Sequence, residues 1–282
     1  MTDEQAKTRS IEREIEIDAP IETVWKALTE ADEITRWLCE EARVKPGVGG
    51  NYWVSWGEGQ AGDSHIEAWE PGRRLRIRNL PPEAKEEEFC SQPNEVAAST
   101  TLMIQEFTLE TRGGRTLLRL VDSGIPDSPE WEGMYDGKTR GWEMFFHALR
   151  HYLEKHSGKP RSNIVDMRPI QGALTEAWEK LTGAEGLAAS GSFAGAKEGA
   201  RYSVTTSLGD TLNGEVLINL PPKTLSITVE NMNDALLSAT FEEMGGITYL
   251  YFTLATYGIE SRLDEEIRGK WTGLLSRLFP AS

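Results

Sequence analysis

Val24-Trp25-Lys26-Ala27-Leu28-Thr29-Glu30-Ala31 returns 153 residues later as Ala177-Trp178-Glu179-Lys180-Leu181-Thr182-Gly183-Ala184, with Trp25 on Trp178. Working outward, Gly49-Gly50-Asn51-Tyr52-Trp53-Val54 aligns with Gly199-Ala200-Arg201-Tyr202-Ser203-Val204 at an offset of 150. Pro71 to Ile77 aligns with Pro221 to Ile227 at the same offset. Gly113-Gly114 aligns with Gly245-Gly246 at 132, and Trp142, Phe145, Phe146 and Leu149 with Trp271, Leu274, Leu275 and Leu278 at 129. Five blocks in one order at a slowly drifting offset mark a tandem duplication, the signal to look for before any other. The reading is a first domain over 8–157, a linker over 158–164 and a second, diverged domain over 165–282. The fall in offset from 150 to 132 places an 18-residue insertion in the first copy between Arg78 and Thr100, where the second has a short hairpin around Asn231-Met232-Asn233.

Within the first copy the apolar period changes along the chain. Ile11, Ile15 and Ile17 alternate with charged residues, as in a strand with one wet face. Asp18 followed by Pro20 is read as the start of a helix over Ile21 to Leu28, and a second short helix is expected over Asp32 to Leu38. Strands are expected over Tyr52 to Trp56, Ser64 to Trp69, Leu75 to Asn79, Leu102 to Leu109 and Thr116 to Val121, with Gly113-Gly114 turning a tight hairpin. From Trp131 to Lys155 the period is helical, and Trp142, Phe145, Phe146, Leu149 and Leu153 share one stripe. Strand, two short helices, a run of strands and one long amphipathic helix is an α+β order in which a curved antiparallel sheet wraps the last helix.

Composition narrows the function. Apolar residues make up 39% and charged residues 27% of the 282, and no run reaches the ~18 to 20 apolar residues of a membrane span, as expected of a soluble globular chain. The start MTDEQAKTRS lacks the basic and apolar regions of a secretory signal, so the expected compartment is the cytoplasm. The formal charge of −15 divides as 20 basic against 30 acidic residues up to position 160 and 10 against 15 after it. Both halves repel a polyanion, which argues against nucleic acid and anionic membrane as partners. Two cysteines, Cys39 and Cys90, are too few for a disulfide framework and are read as free thiols.

The order Ile17-Asp18-Ala19-Pro20-Ile21-Glu22-Thr23-Val24-Trp25-Lys26-Ala27-Leu28-Thr29, Trp37, Gly49-Gly50, Glu70-Pro71-Gly72-Arg73-Arg74-Leu75 and Gly141-Trp142-Glu143 resembles the activator of heat-shock-protein-90 ATPase homologues, within the START-like (SRPBCC) superfamily. The second copy departs from that pattern with Ala173, Ala200 and Lys270 where the first has Pro20, Gly50 and Gly141. The resemblance implies a duplicated helix-grip, birch-pollen-allergen-like fold: a seven-stranded antiparallel sheet around the C-terminal helix, with an apolar pocket between them in many members. It does not assign a function, because one fold hosts binding, transfer and catalysis.

All four histidines, His65, His147, His151 and His156, lie in the first copy. His147 and His151 have a spacing that suits a metal, yet stand about 140° and 180° from Trp142 on the wheel and are read as surface residues without acidic or Cys co-ligands. No metal site, nucleotide fingerprint, phosphate loop or nucleophile elbow is present, so no cofactor and no catalytic residue is assigned. Trp37, Tyr52, Trp53, Trp56, His65, Trp69, Phe107, Trp142, Phe145 and Phe146 form the candidate ligand pocket; the plainer reading of the aromatics is core packing. Strand parity already separates Trp53 from Tyr52 and Trp56. The leading expectation is non-enzymatic binding or sensing of an apolar small molecule by the first copy. One alternative is a chaperone-related or stress-linked module in which the two copies and the acidic run Glu83 to Glu88 present a composite surface to a protein partner; the run itself reads most simply as a solvated loop, with a lid over the cavity mouth or a docking loop for a basic partner as the sharper alternative. The other is a cyclase- or hydrolase-type enzyme using His65 with Glu67 or Asp63.

Overall fold

The computed structural model describes residues 7–57, 60–80, 103–244 and 246–280. The Glu83 to Glu88 run and Cys90 lie outside the described residues. The chain divides into two compact units, Met1–Gly158 and Lys159–Ser282. Among the described residues no helix is long and apolar enough to cross a membrane.

In the first unit β1 (Thr8–Ile17) leads through α1 (Ile21–Thr29) and α2 (Ala31–Ile34) to β2 (Glu41–Val44), β3 (Asn51–Gly57), β4 (Gln60–Glu70), β5 (Arg74–Asn79), β6 (Ile104–Arg112) and β7 (Arg115–Pro126), and ends in α3 (Glu132–Lys155). The seven strands form one antiparallel sheet in the order β1-β7-β6-β5-β4-β3-β2. Chain neighbours pair throughout except at β1, which crosses to lie beside β7. The β6–β7 hairpin closes at Arg112 and Arg115 over Gly113 and Gly114, whose φ values of 55° and 89° are ones that side chains resist.

Alternation gives this sheet two unlike faces. On β1, Ile11 and Ile17 are buried while Glu12, Glu14 and Glu16 are exposed. Glu14 and Glu16 ion-pair with Arg119 and Arg115 of β7 on the water side. The buried side carries Leu118 and Leu120 of β7, Phe107 and Leu109 of β6 and Leu75 and Ile77 of β5. The stripe of α3 packs against it, with Trp142, Phe146, Leu149 and Leu153 all buried. This is the helix-grip arrangement.

The second unit repeats the plan. It contains β8 (Arg161–Pro169), α4 (Leu174–Thr182), β9 (Arg201–Thr205), β10 (Thr211–Leu220), β11 (Thr224–Val229), β12 (Ala235–Met244), β13 (Ile247–Tyr257) and α5 (Ser261–Leu278). Its sheet order is β8-β13-β12-β11-β10-β9, the first order without β2, whose place is held by a single bridge between Ser190 and Thr205. Strand register ties the two copies residue by residue. Ile11, Asp122, Gln105 and Ile77 lie across neighbouring strands of the first sheet. Ile164, Leu254, Leu237 and Ile227 do so in the second, at the offsets read from the sequence. Where the first copy carries its insertion, the second turns through Glu230–Met232 and two left-handed residues, Asn233 and Asp234.

Three local expectations change. Asp18 does not cap α1: Pro20 is the N-cap residue, with φ −60° and ψ 147°, and no side chain caps the helix. A cap must directly precede the first turn, and Asp18 is too early; its backbone N–H instead donates to Glu154 Oε1 at 2.9 Å. The helix expected over Asp32 to Leu38 stops at Ile34 and continues as turns. The linker expected over 158–164 is shorter, because Arg161 to Ile164 already pair with Tyr257 to Leu254 in the sheet.

Leu149 lies wholly buried at the centre of the α3 stripe. Leu149→Ala is expected to destabilise the first unit by ~2–5 kcal/mol through lost burial and a residual void, read as a lower urea midpoint for that unit.

Candidate functional site

Trp142 is the hub of the inner face. Its ring meets Phe107 of β6 edge-on at 5.8 Å, Phe145 at 5.9 Å and Phe146 at 6.3 Å between centroids. Phe145 in turn stacks on Trp56 of β3 at 6.2 Å. Trp56 and Phe145 are only half-buried, so this end of the aromatic row reaches solvent. Tyr52, two residues before Val54 on β3, shares the inner face with Trp56 and is buried. Trp69 reaches the same face through its pairing with Leu75 and packs edge-on against Trp25 at 5.3 Å. Trp37 is buried beside α1, its indole N–H donating to Ala27 O at 2.8 Å.

Two of the expected pocket residues lie on the opposite face. Trp53 points away from α3, with the Arg43 guanidinium 4.5 Å above its ring. His65 pairs with Asn51 and Arg78 across the strands, out of phase with the inward Ser64 and Ile66. Its proposed acid and base partners are committed on that outer side. Glu67 bonds Arg76 at 2.9 Å and Arg78 at 2.5 Å, and Asp63 accepts from the Asn51 amide. Burial alone would raise the Glu67 pKa, yet the two guanidinium groups hold it below the usual carboxylate range. The acid–base pair imagined for the enzyme reading therefore faces away from the aromatic row.

His147 and His151 are also placed differently from expectation: both are buried, 8% exposed. A helical wheel tells which face meets the sheet and is silent about what covers the other. Among the described residues no group of three or more His, Cys, Asp or Glu side chains is placed to hold a metal ion.

The inner face also carries polar groups that pattern reading passed over. Asp122 of β7 is completely buried; its Oδ2 accepts from Trp142 Nε1 at 2.7 Å and pairs with Lys138 Nζ at 2.9 Å. Gln105 lies across from Asp122 on β6, and Ser64 donates to Asn79 Oδ1 at 3.3 Å one rung on. The Gln105 amide has no hydrogen-bond partner among the described residues. At the corresponding positions the second copy has Leu254 for Asp122, Ile267 for Lys138, Leu237 for Gln105, Val229 for Asn79 and Gly214 for Ser64. The signal was present in the repeat, as a polar-to-apolar difference at matched offsets.

Two buried groups, Tyr52 on the inner face and His147 off the apolar stripe of α3, are displaced in their titration. Burial, then the neighbouring Cys39 thiol, pushes the Tyr52 hydroxyl well up, so it stays protonated as a donor. Burial, then Arg150, pushes His147 down to about 4.

For His147 the sign is fixed by which state takes the proton. Below its ordinary pKa near 6.5 the unfolded chain binds a proton that the folded chain refuses until about pH 4. Stability is thus fully present above pH 6.5 and declines as pH falls to about 4, by up to ~3 kcal/mol. His147→Gln is expected to flatten that part of a urea-midpoint-against-pH curve. The buried ion pair makes a second prediction. Lys138→Met strands the Asp122 carboxylate and is expected to cost ~3 kcal/mol, whereas D122L/K138I, the second copy's pair, stays within ~2 kcal/mol of wild type in the same assay.

Comparison with known proteins finds a family likeness in the first copy and distant structural neighbours. No curated protein matches the chain. Among solved structures, the Aha1 dimer from Colwellia psychrerythraea is 20% identical at a TM-score of 0.44, over 53% of this chain and 99% of that one. DynU16, from the dynemicin biosynthetic locus, is 18% identical at 0.41, over 95% of this chain and 96% of its own. The di-domain ARO/CYC protein BexL, from the BE-7585A biosynthetic pathway, is 15% identical at 0.42, over 97% and 99%. Residues 18–154 match the model of the activator of Hsp90 ATPase homolog 1-like protein family, so that stretch of the first copy is similar to that family.

Proposed function

We propose that the first copy binds a small, largely apolar or aromatic molecule against the inner face of its sheet, under α3. The observation that carries this reading is the contrast between two copies of one framework. In the first, the inner face combines an aromatic row that reaches solvent at Trp56 and Phe145 with the polar side chains of Asp122, Gln105, Asn79 and Ser64. In the second, Leu254, Leu237, Val229 and Gly214 take those positions, and the three apolar ones are fully buried. A sheet that only had to hold its helix would be served by the second set. Aromatic surface with a few oriented polar groups is what small-molecule sites are made of.

The placement of His65, Glu67 and Asp63 on the other face favours binding over acid–base catalysis by those residues.

Neutral naphthalene-sized probes are expected to quench the tryptophan fluorescence of the full chain and raise its melting temperature. Phe145→Ala, which removes the ring between Trp56 and Trp142, is expected to weaken probe binding about tenfold. Absence of both quenching and thermal shift across a series of such probes would sink the proposal.

A further inference from the structure

We infer that this site, if it binds as proposed above, selects neutral aromatic molecules that carry an O–H or N–H donor, and that Asp122 Oδ1 is the acceptor that reads it. The side chain of Asp122 is entirely buried, and its two oxygens are treated unequally. Oδ2 holds both Trp142 Nε1 and Lys138 Nζ, while Oδ1 has no partner. A buried carboxylate oxygen without a donor is costly, and natural proteins retain few.

The fold does not demand it. The second copy builds the same rung of the sheet from Ile164, Leu254, Leu237 and Ile227, and sets Ile267 where the first has Lys138. All four members of that rung are buried, and Trp271, the counterpart of Trp142, stacks on Phe252 at 5.6 Å instead of bonding a carboxylate. The polar arrangement of the first copy is therefore a departure from a packing solution this chain already uses.

Three features define what would meet Oδ1. Lys138 already balances the carboxylate, so the missing partner is a neutral donor and not a second cation. Trp142 joins the acceptor to the aromatic row: its N–H binds Asp122 while its ring meets Phe107 and Phe145, which suits a planar ring bearing the donor. Gln105, across from Asp122, adds an amide able to donate to the same hydroxyl oxygen. A site built around a hydroxyl rejects the analogue that lacks it, because its own acceptor is left unpaired.

The test compares 2-naphthol with 2-methoxynaphthalene, which keeps the ring system and the oxygen but loses the donor, by calorimetry and tryptophan quenching on the full chain. The wild type is expected to bind 2-naphthol at least about tenfold more tightly. D122L/K138I, with its folding checked by thermal unfolding, is expected to bind both with similar affinity. Equal binding of the two probes by the wild type overturns the inference while leaving the binding reading intact, and needs no variant. Preference for 2-naphthol that survives in the folded double variant also overturns it, since another acceptor is then responsible. If neither probe binds, the binding reading falls and this inference with it.

Discussion

The long helix of each copy has one apolar stripe, and the sheet beside it has one apolar face; each leaves the other's hydrophobic surface in water unless they meet. From that requirement the rest follows. Strand alternation assigns every second residue to the helix side, so Ile11, Leu120, Phe107 and Leu75 point one way and Glu14, Arg119, Glu106 and Arg74 the other. The outer set forms ion pairs in water, such as Arg74 with Glu106 at 3.0 Å, which organise the surface more than they stabilise it. The inner set holds the core, and anything polar found among it has to be accounted for one group at a time.

Much of this is legible in the amino-acid sequence. The alternation of Ile11, Ile15 and Ile17, the helical stripe from Trp142 to Leu153 and the paired glycines at 113 and 114 each report a single local cause, so each was readable from a few neighbouring residues. The drifting repeat offset was legible for the same reason, and strand register then matched it without adjustment at Ile11 and Ile164, and at Tyr52 and Tyr202. What was not legible depends on the third dimension. The face that His65 takes depends on strand phase, and the bulge between Ile66 and Ala68 makes phase along β4 hard to count: Ile66 and Trp69 face inward although three apart. His147 and His151 lie off the apolar stripe and are nevertheless buried, which periodicity cannot foresee.

Asp122 and Lys138 illustrate a different kind of illegibility. An aspartate in a strand that reads Leu-Val-Asp-Ser, and a lysine in a helix beginning Glu-Gly-Met-Tyr, look like ordinary surface charges. Only their register, on the face and on the helix turn next to Trp142, shows that they share one buried place. The duplicated copy supplies the comparison that a lone sequence lacks. Evolution of one framework has kept the hydrophobic skeleton at Ile11 and Ile164 or Ile77 and Ile227, and changed the polar set as a block.

A buried ion pair is weak evidence for stability, since desolvation offsets most of the attraction and apolar residues of similar volume often serve as well. The second copy makes that substitution within this very chain. Retention of the pair in the first copy therefore calls for a benefit other than folding, and its geometry suggests where to look. Lys138 and the Trp142 indole both act on Oδ2, which fixes the carboxylate rotamer and leaves the buried Oδ1 without a partner. Two donors that anchor one oxygen so as to present the other are preorganisation, the arrangement in which a binding group bears its ordering cost before the ligand arrives. On that argument the ion pair, expendable for the fold, belongs to the site: it holds an acceptor still at the end of an aromatic row.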